Sequence, residues 1–448
     1  MVSTALARIE ETLAGVEMIW DPAQVAKLSS DYHTFSPILV PQLTERVADV
    51  VARPADLEQL RQVVAYAAQH GIPITIRGAG TGNYGQAVPL QGGVVVDMTK
   101  LNQVLWVKGA TVRVQAGAKL AAIDKVTRES GWELRMAPST IRTATIGGFI
   151  AGGSGGMGSV TYGQLRDRGN ILALQVMTVD ANPQLLELRG DDVYKVSHAW
   201  GTNGIITEVE LPLAPAYPWA ESVVAFPDFM QAMRFAQALS DADGILKKLV
   251  SVMAWPIPSY FTVLKGLVTP GSHAVITMIA EPALAAFADL VREWQGQVIY
   301  EKTAQEANKG TMLVELTWNH TTLHARTVDP TLTYLQSLFP WEPDLATVEK
   351  LYHHFGDEVM MHLEWIRVQG KAVPVGLQLV RFSTPERLNA IMAEHEANGV
   401  MIANPHTYII EDGGRKVMDP IQVAFKEQVD PQGLLNPGKM RTWADRIL

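Results

Sequence analysis

The chain has 448 residues, 47% of them hydrophobic and 19% charged, with 36 glycines, 25 prolines and no cysteine. That length suggests two or three domains with ample apolar material for a core, and the missing cysteine excludes disulfides, thiolate zinc sites, cysteine-ligated iron–sulfur clusters, and a cysteine nucleophile or flavin link. Thirty-seven Lys and Arg against 46 Asp and Glu give a net charge of −9, which argues against nucleic acid or an anionic membrane and for a small-molecule ligand.

Residues 1–20 mix Arg8, Glu10, Glu11 and Glu17 with apolar positions. They are expected to form an amphipathic helix, not a secretion signal. No apolar run approaches the 18 residues of a membrane span, so a cytoplasmic protein without a transmembrane segment is expected. Ala48 to Val51 is a short strand, and Pro54 and Asp56 open a helix with Leu57, Leu60, Val63, Val64 and Ala67 on one face, stopped by Gly71. Strands are expected at Ile72 to Ile76, Gly93 to Met98, Thr111 to Val114 and Trp132 to Leu134, with a helix over Leu120 to Ser130. Asn170 to Val179 and Leu185 to Leu188 flank the turn Asp180-Ala181-Asn182-Pro183. Three prolines between Pro212 and Pro218 interrupt any helix or central strand, so the first domain is placed at 1–214. Beyond it, helices are expected at Phe229 to Leu239 and Ala283 to Trp294, and strands at Ala274 to Ile279 and Val375 to Phe382.

Twenty-three of the 36 glycines precede residue 215, so the front half is where the backbone must turn tightly or approach a ligand. Gly80-Thr81-Gly82-Asn83-Tyr84-Gly85 satisfies the dinucleotide pattern GxGxxG, but Pro89 and the Gly92-Gly93 pair stand where its helix should follow. The loop can still form an anion nest from successive N–H groups. Gly152-Gly153-Ser154-Gly155-Gly156 satisfies the hydrolase pattern GxSxG, yet seven glycines in residues 147–158 are too flexible to hold a strained nucleophile. Ser154 is better read as a hydrogen-bond donor to a ligand. Gly433 to Lys439 mimics a phosphate-binding loop, but Met440 replaces the magnesium-holding hydroxyl. Taken as a pair, the loops at 77–85 and 138–163 suit a long ligand with two phosphates and a broad planar part. FAD has that shape.

Pro73-Ile74-Thr75-Ile76-Arg77-Gly78-Ala79-Gly80-Thr81-Gly82, Gly92 to Met98, Pro138-Ser139 through Thr145-Ile146-Gly147-Gly148 to Tyr162-Gly163, and Gly201 to Thr207 together resemble the FAD-binding domain of the vanillyl-alcohol oxidase and p-cresol methylhydroxylase superfamily. Asp430 to Lys439 looks like the tail of its glycolate oxidase subunit and D-lactate dehydrogenase branch. The resemblance implies an α+β fold: a two-subdomain FAD-binding domain at 1–214, an α+β cap with an antiparallel sheet at 215–424, and a segment at 425–448 that returns to the first domain. It implies pyrophosphate contacts from Arg77, Gly78, Ala79, Gly80, Thr81, Gly82 and Asn83. Along the ribityl chain and flavin it implies Pro138, Ser139, Thr145, Gly147, Gly148, Gly152, Ser154 and Tyr162, with Gly204 and Ile206 nearby and Asn436 and Lys439 returning from the tail. Members that tether FAD carry a His where this chain has Thr81, so noncovalent FAD is expected. Where members of that branch carry an acidic-His-Gly-Ile-Gly segment, this chain has Glu411-Asp412-Gly413-Gly414.

Oxidation of an alcohol or 2-hydroxy acid by flavin needs a base near the hydroxyl and cationic or hydroxyl groups for any carboxylate. In Trp318-Asn319-His320-Thr321-Thr322-Leu323-His324, His320 and His324 share a face if helical; they are either base and orienter, a metal pair, or surface histidines. No metal centre is expected. His362 and Glu364 would share a strand face with Ile366, and His406 and Tyr408 another shortly before the tail. Arg367 and Arg381 are candidate carboxylate clamps, while His353 and His354 read as an exposed helical pair. The expected activity is hydride transfer to FAD from a small hydroxylated substrate, foremost a 2-hydroxy acid such as glycolate or D-lactate. An alcohol, aldose or phenol oxidase, or a nonredox FAD-binding scaffold, are the alternatives. Oxygen, a quinone or a carrier protein would serve as electron acceptor.

Overall fold

The computed structural model describes residues 2–153, 155–307, 309–415 and 419–446. Near the N-terminus, Val50–Arg53, Val94–Asp97 and Ile74–Arg77 lie parallel in that spatial order, with Glu17–Ile19 antiparallel on the edge. The helix Leu57–His70 makes the crossover. Asp56 caps it by accepting from the Gln59 N–H at 2.8 Å, and Gly71, at φ +63°, ends it in the left-handed conformation that costs glycine least. The expected 1–20 helix stops at Thr12, because Gly15 (φ +97°) turns the chain and Glu17–Ile19 then joins the sheet.

A second sheet runs Val104–Lys108, Thr111–Gln115, Ile205–Pro215, Ala173–Met177, Leu185–Arg189, with Trp132–Leu134 pairing to the far end of Ile205–Pro215. The hairpin at 173–189 forms as its turn residues require: Asp180 accepts from the Asn182 N–H at 2.7 Å and from the Thr178 hydroxyl at 2.6 Å. The chain then leaves this sheet at Pro215 and enters another at Trp219.

That third sheet is antiparallel, in the order Gln297–Lys302, Trp219–Phe226, His273–Ala280, Lys247–Met253, His362–Val368, Lys371–Gly376, Ser337–Leu338, Met401–Ile402. Its central strands are buried on both sides, which explains their near-continuous apolar runs. The single strand expected over 375–382 is two: Lys371–Gly376 stays in this sheet, while Leu379–Arg381 joins Leu332–Tyr334 and Val359–Met360. The break falls at Gly376, where a Cβ would lie 2.3 Å from Gln378 Oε1 and 2.4 Å from Ser337 Oγ. Residues 404–408, read from alternation as a strand, form a turn in which Asn404 Oδ1 accepts from the His406 N–H at 2.9 Å.

The C-terminus returns to the first domain. Leu435 bridges Ile74 in parallel, with Ile74 N–H to Leu434 O at 2.8 Å and Asn436 N–H to Ile74 O at 2.7 Å, so the tail extends the parallel sheet beside the strand that feeds the first glycine loop.

Candidate functional site

The first glycine loop leaves the C-terminal end of Ile74–Arg77, and the second becomes the helix Ile146–Gly152, capped by Thr145 Oγ1 accepting from the Gly148 N–H at 3.3 Å. The two interlock at Gly78: a Cβ there would lie 2.1 Å from Thr145 Oγ1. Only glycine permits this approach. A cavity of about 120 Å³ lies along the interlock, walled by the backbones of Gly78, Ala79, Gly80, Thr81, Gly82, Gly147 and Gly148 together with Thr145, Gly204 and Ile206. Its N–H-rich lining at a helix N-terminus is the chemistry of a pyrophosphate site.

A second cavity, of about 260 Å³, shares Thr81, Gly82, Gly148, Gly152 and Trp200 with the first. Asn83, Pro138 and Ser139 line it from the first domain, and Trp318, Asn319, Gln336 and Ile366 from the cap. Trp318 Nε1, Asn319 Oδ1 and Trp200 Nε1 are buried without a hydrogen-bond partner at residues lining this space. Orphaned groups of this kind await a ligand. The long two-part space, its backbone cradle and these polar groups fit FAD, with the pyrophosphate in the smaller part and the flavin toward the larger.

The remaining cofactor candidates brace the cradle without lining it. Arg77 lies beneath Gly80, where a Cβ would meet its guanidinium at 2.1 Å, and donates to Ser30 O and Ala79 O. Burial pushes its pKa down. Asn436 Nδ2 donates to Gln86 O at 2.9 Å and Trp200 O at 2.7 Å, and the buried Lys439 donates to Gly85 O. Burial pushes Lys439 down to about 7, partly opposed by Asp31. Tyr162 stacks against Arg135 at 5.6 Å. Ser154 lies outside the described residues.

None of the catalytic candidates borders either cavity. His320 and His324 do sit one turn apart on the helix Asn319–Val328, but His324 Nε2 meets Glu315 O at 3.0 Å and its ring packs edge-on against Phe261. It is the helix start, Trp318 and Asn319, that faces the cavity. Arg367 donates to Val160 O, Gly370 O and Ser240 O and pairs with Asp243, and Arg381 is held by Asp357 O and Asp329. Tyr408 packs beside Lys439 at 5.6 Å. Glu364 and His362 share a face, as alternation predicts, but both are fully buried and act through Trp318: Glu364 Oε1 accepts from the Trp318 N–H at 2.7 Å and meets His362 Nε2 at 2.9 Å.

His406 is buried between Ser36 Oγ (2.8 Å from Nδ1) and Tyr334 O (2.9 Å from Nε2). Burial pushes its pKa down to about 4, so the ring is neutral in the folded protein. Its unfolded pKa of about 6.5 lies higher, so between these values the unfolded chain binds the extra proton and stability falls as pH drops. Urea unfolding at pH 7 and pH 4.5 should show a loss that is smaller in His406→Gln, by on the order of 2 kcal/mol. An equal loss in both proteins would remove His406 from the acid response.

His198 and Trp200 are among the cavity residues that escaped sequence reasoning. They lie just before the Gly201 motif and have left-handed φ of +56° and +51°, with N–H groups bonding Ile150 O and Ala151 O at 3.0 Å. Nothing in their residue types signals that conformation. His198 is the one histidine among the lining residues.

Comparison with known proteins agrees with the cradle. Residues 48–187 match the family model described as FAD binding domain. An uncharacterised FAD-linked oxidoreductase of Mycobacterium tuberculosis is 32% identical over 195 residues, 41% of each chain. D-lactate dehydrogenase of Archaeoglobus fulgidus is 28% identical over 218 residues, 46% of this chain and 48% of that one. In both, the chain spans less than half the relative's length. Glycolate oxidase subunit GlcD of Bacillus subtilis aligns over 440 residues at 24% identity, 88% of this chain and 89% of its own. In fold, alkyldihydroxyacetonephosphate synthase superposes with a TM-score of 0.74 at 17% identity, over 98% of this chain and 85% of that one. Fold and cradle together define an FAD-binding flavoprotein. Residues 48–187 belong to the FAD binding domain family.

Proposed function

We propose that this protein transfers a hydride from a small hydroxylated substrate to noncovalently bound FAD, and that the substrate is a 2-hydroxy acid of the glycolate or D-lactate kind. The observation that carries the reading is the larger cavity, which continues from the pyrophosphate cradle and is closed by the cap through Trp318 and Asn319. Residues 1–214 are the cofactor domain in this reading, 215–424 the substrate-side cap and 425–448 the returning tail. The names of the glycolate oxidase and D-lactate dehydrogenase relatives support the substrate class.

Bound FAD supplies the hydride acceptor. The substrate carbon loses a hydride and its hydroxyl a proton, leaving a carbonyl. Asn319 Oδ1, Ser139 and His198 line the same cavity; in this reading the first two orient the substrate hydroxyl and His198 takes its proton. This base differs from the cap histidines expected from residue type. His198→Asn should retain yellow colour and slow anaerobic flavin reduction by about 100-fold; an unchanged rate removes His198 from the chemistry. Acid precipitation should release the flavin, whereas pigment in the pellet would identify a tether. A protein that takes up no FAD would end the whole reading.

A further inference from the structure

Arg166 carries the one permanent charge among the described residues lining the larger cavity, and among the described residues no hydrogen bond or ion pair engages it. Its isolation is built into the turn that bears it. In Arg166-Asp167-Arg168, Asp167 Oδ2 is committed to the Gln164 N–H at 2.8 Å, and Arg168 turns away to Asp191 at 2.9 Å. Asn170 Nδ2 locks the same turn onto Tyr162 O and Gln164 O at 2.9 and 2.8 Å. The adjacent acid makes no ion pair with Arg166. The two arginines that residue type suggested as clamps, Arg367 and Arg381, are engaged elsewhere.

The half-buried Arg166 shares this cavity with Phe149, Ile366 and Leu377 and has no counter-ion among the described residues. Its fork of N–H donors is complementary to a carboxylate, which it can bind in bidentate fashion. We propose that Arg166 is the specificity-determining residue of the site: it binds the substrate's carboxylate and so selects hydroxy acids over neutral alcohols. The inference rests on the oxidoreductase reading for its substrate but predicts anion binding independently of turnover.

The test compares wild type with Arg166→Met, both loaded with FAD. Oxalate, a nonreacting dicarboxylate, should raise the melting temperature and perturb the flavin spectrum of wild type, with affinity lowered about 100-fold in Arg166→Met. Anaerobic flavin reduction is then followed with the matched pairs D-lactate and 1,2-propanediol, and glycolate and ethylene glycol. The acid of each pair should reduce the wild-type flavin faster, and the substitution should abolish that preference. Equal oxalate binding by the two proteins would overturn the inference. So would an equal loss of rate on acids and diols together with weaker sulfite addition, because Arg166 would then act on the flavin. If oxalate binds through Arg166 but no hydroxy compound reduces the flavin, the oxidoreductase reading fails and the anion site stands.

Discussion

Gly152→Leu is expected to give a colourless protein whose apo form is as stable as wild type or slightly more so. Gly152 ends the helix Ile146–Gly152, lines both cavities, and has no atom within 4 Å of a built Cβ. A Cβ there meets no neighbouring atom, and a leucine in this shared wall is expected to fill the passage between the pyrophosphate and flavin spaces. FAD affinity should fall by 100-fold or more, while the better helix former adds a few tenths to about 1 kcal/mol. The neighbour supplies the contrast. Gly153 has φ +69°, and a Cβ would lie 2.2 Å from the His198 ring, so Gly153→Leu should destabilise the fold itself. Flavin retained on desalting and apo melting temperature separate the two effects. A yellow Gly152→Leu protein would show that the cofactor does not run through this passage.

Glu364→Ala should produce the largest loss of stability among single substitutions behind the site. Glu364 is fully buried, and its Oε1 accepts from the Trp318 N–H at 2.7 Å and Ser251 Oγ at 3.0 Å while meeting His362 Nε2 at 2.9 Å. His362 Nδ1 faces Leu377 O at 3.2 Å, so both ring nitrogens point at acceptors. Removing the acid leaves the buried Trp318 N–H without its acceptor and takes from His362 Nε2 its shortest contact, a loss of about 3 kcal/mol. It also frees Trp318 from its left-handed φ of +53°, loosening the cap's contribution to the cavity. Glu364→Gln keeps an acceptor for the Trp318 N–H and a donor for a neutral His362, so its loss should be nearer 1 kcal/mol. Urea midpoints measure both, and KM of each variant reports whether the Trp318–Asn319 elbow still positions substrate. Similar midpoints for Glu364→Ala and wild type would deny the pair its structural role.

Much of the cofactor domain was legible because its signals are local. Asp56 and Gly71 bracket a helix by capping chemistry, Asp180 to Pro183 make their own turn, and the glycines at 78 and 147 mark places where only bare backbone fits. The cap was less legible. Alternation at 362–366 correctly put His362, Glu364 and Ile366 on one face, yet could not say that only Ile366 reaches the cavity. At 404–408 the same alternation was misleading, since Asn404 supplies a side-chain acceptor that replaces a strand partner.

Sequence by itself determined the class of ligand, through two glycine loops with the spacing of an extended diphosphate cradle, and excluded a cysteine tether by composition. The tertiary structure decided which side chains could serve the chemistry. His324, His406 and Arg367 carry suitable groups, but those groups are turned to carbonyls and a hydroxyl, and the Tyr408 ring packs beside Lys439. His198, Asn319 and Arg166 face the cavity because a left-handed backbone, a helix start and a locked turn aim them there. The direction of a side chain and the partners that engage it depend on contacts between segments far apart in the chain, and residue type records neither.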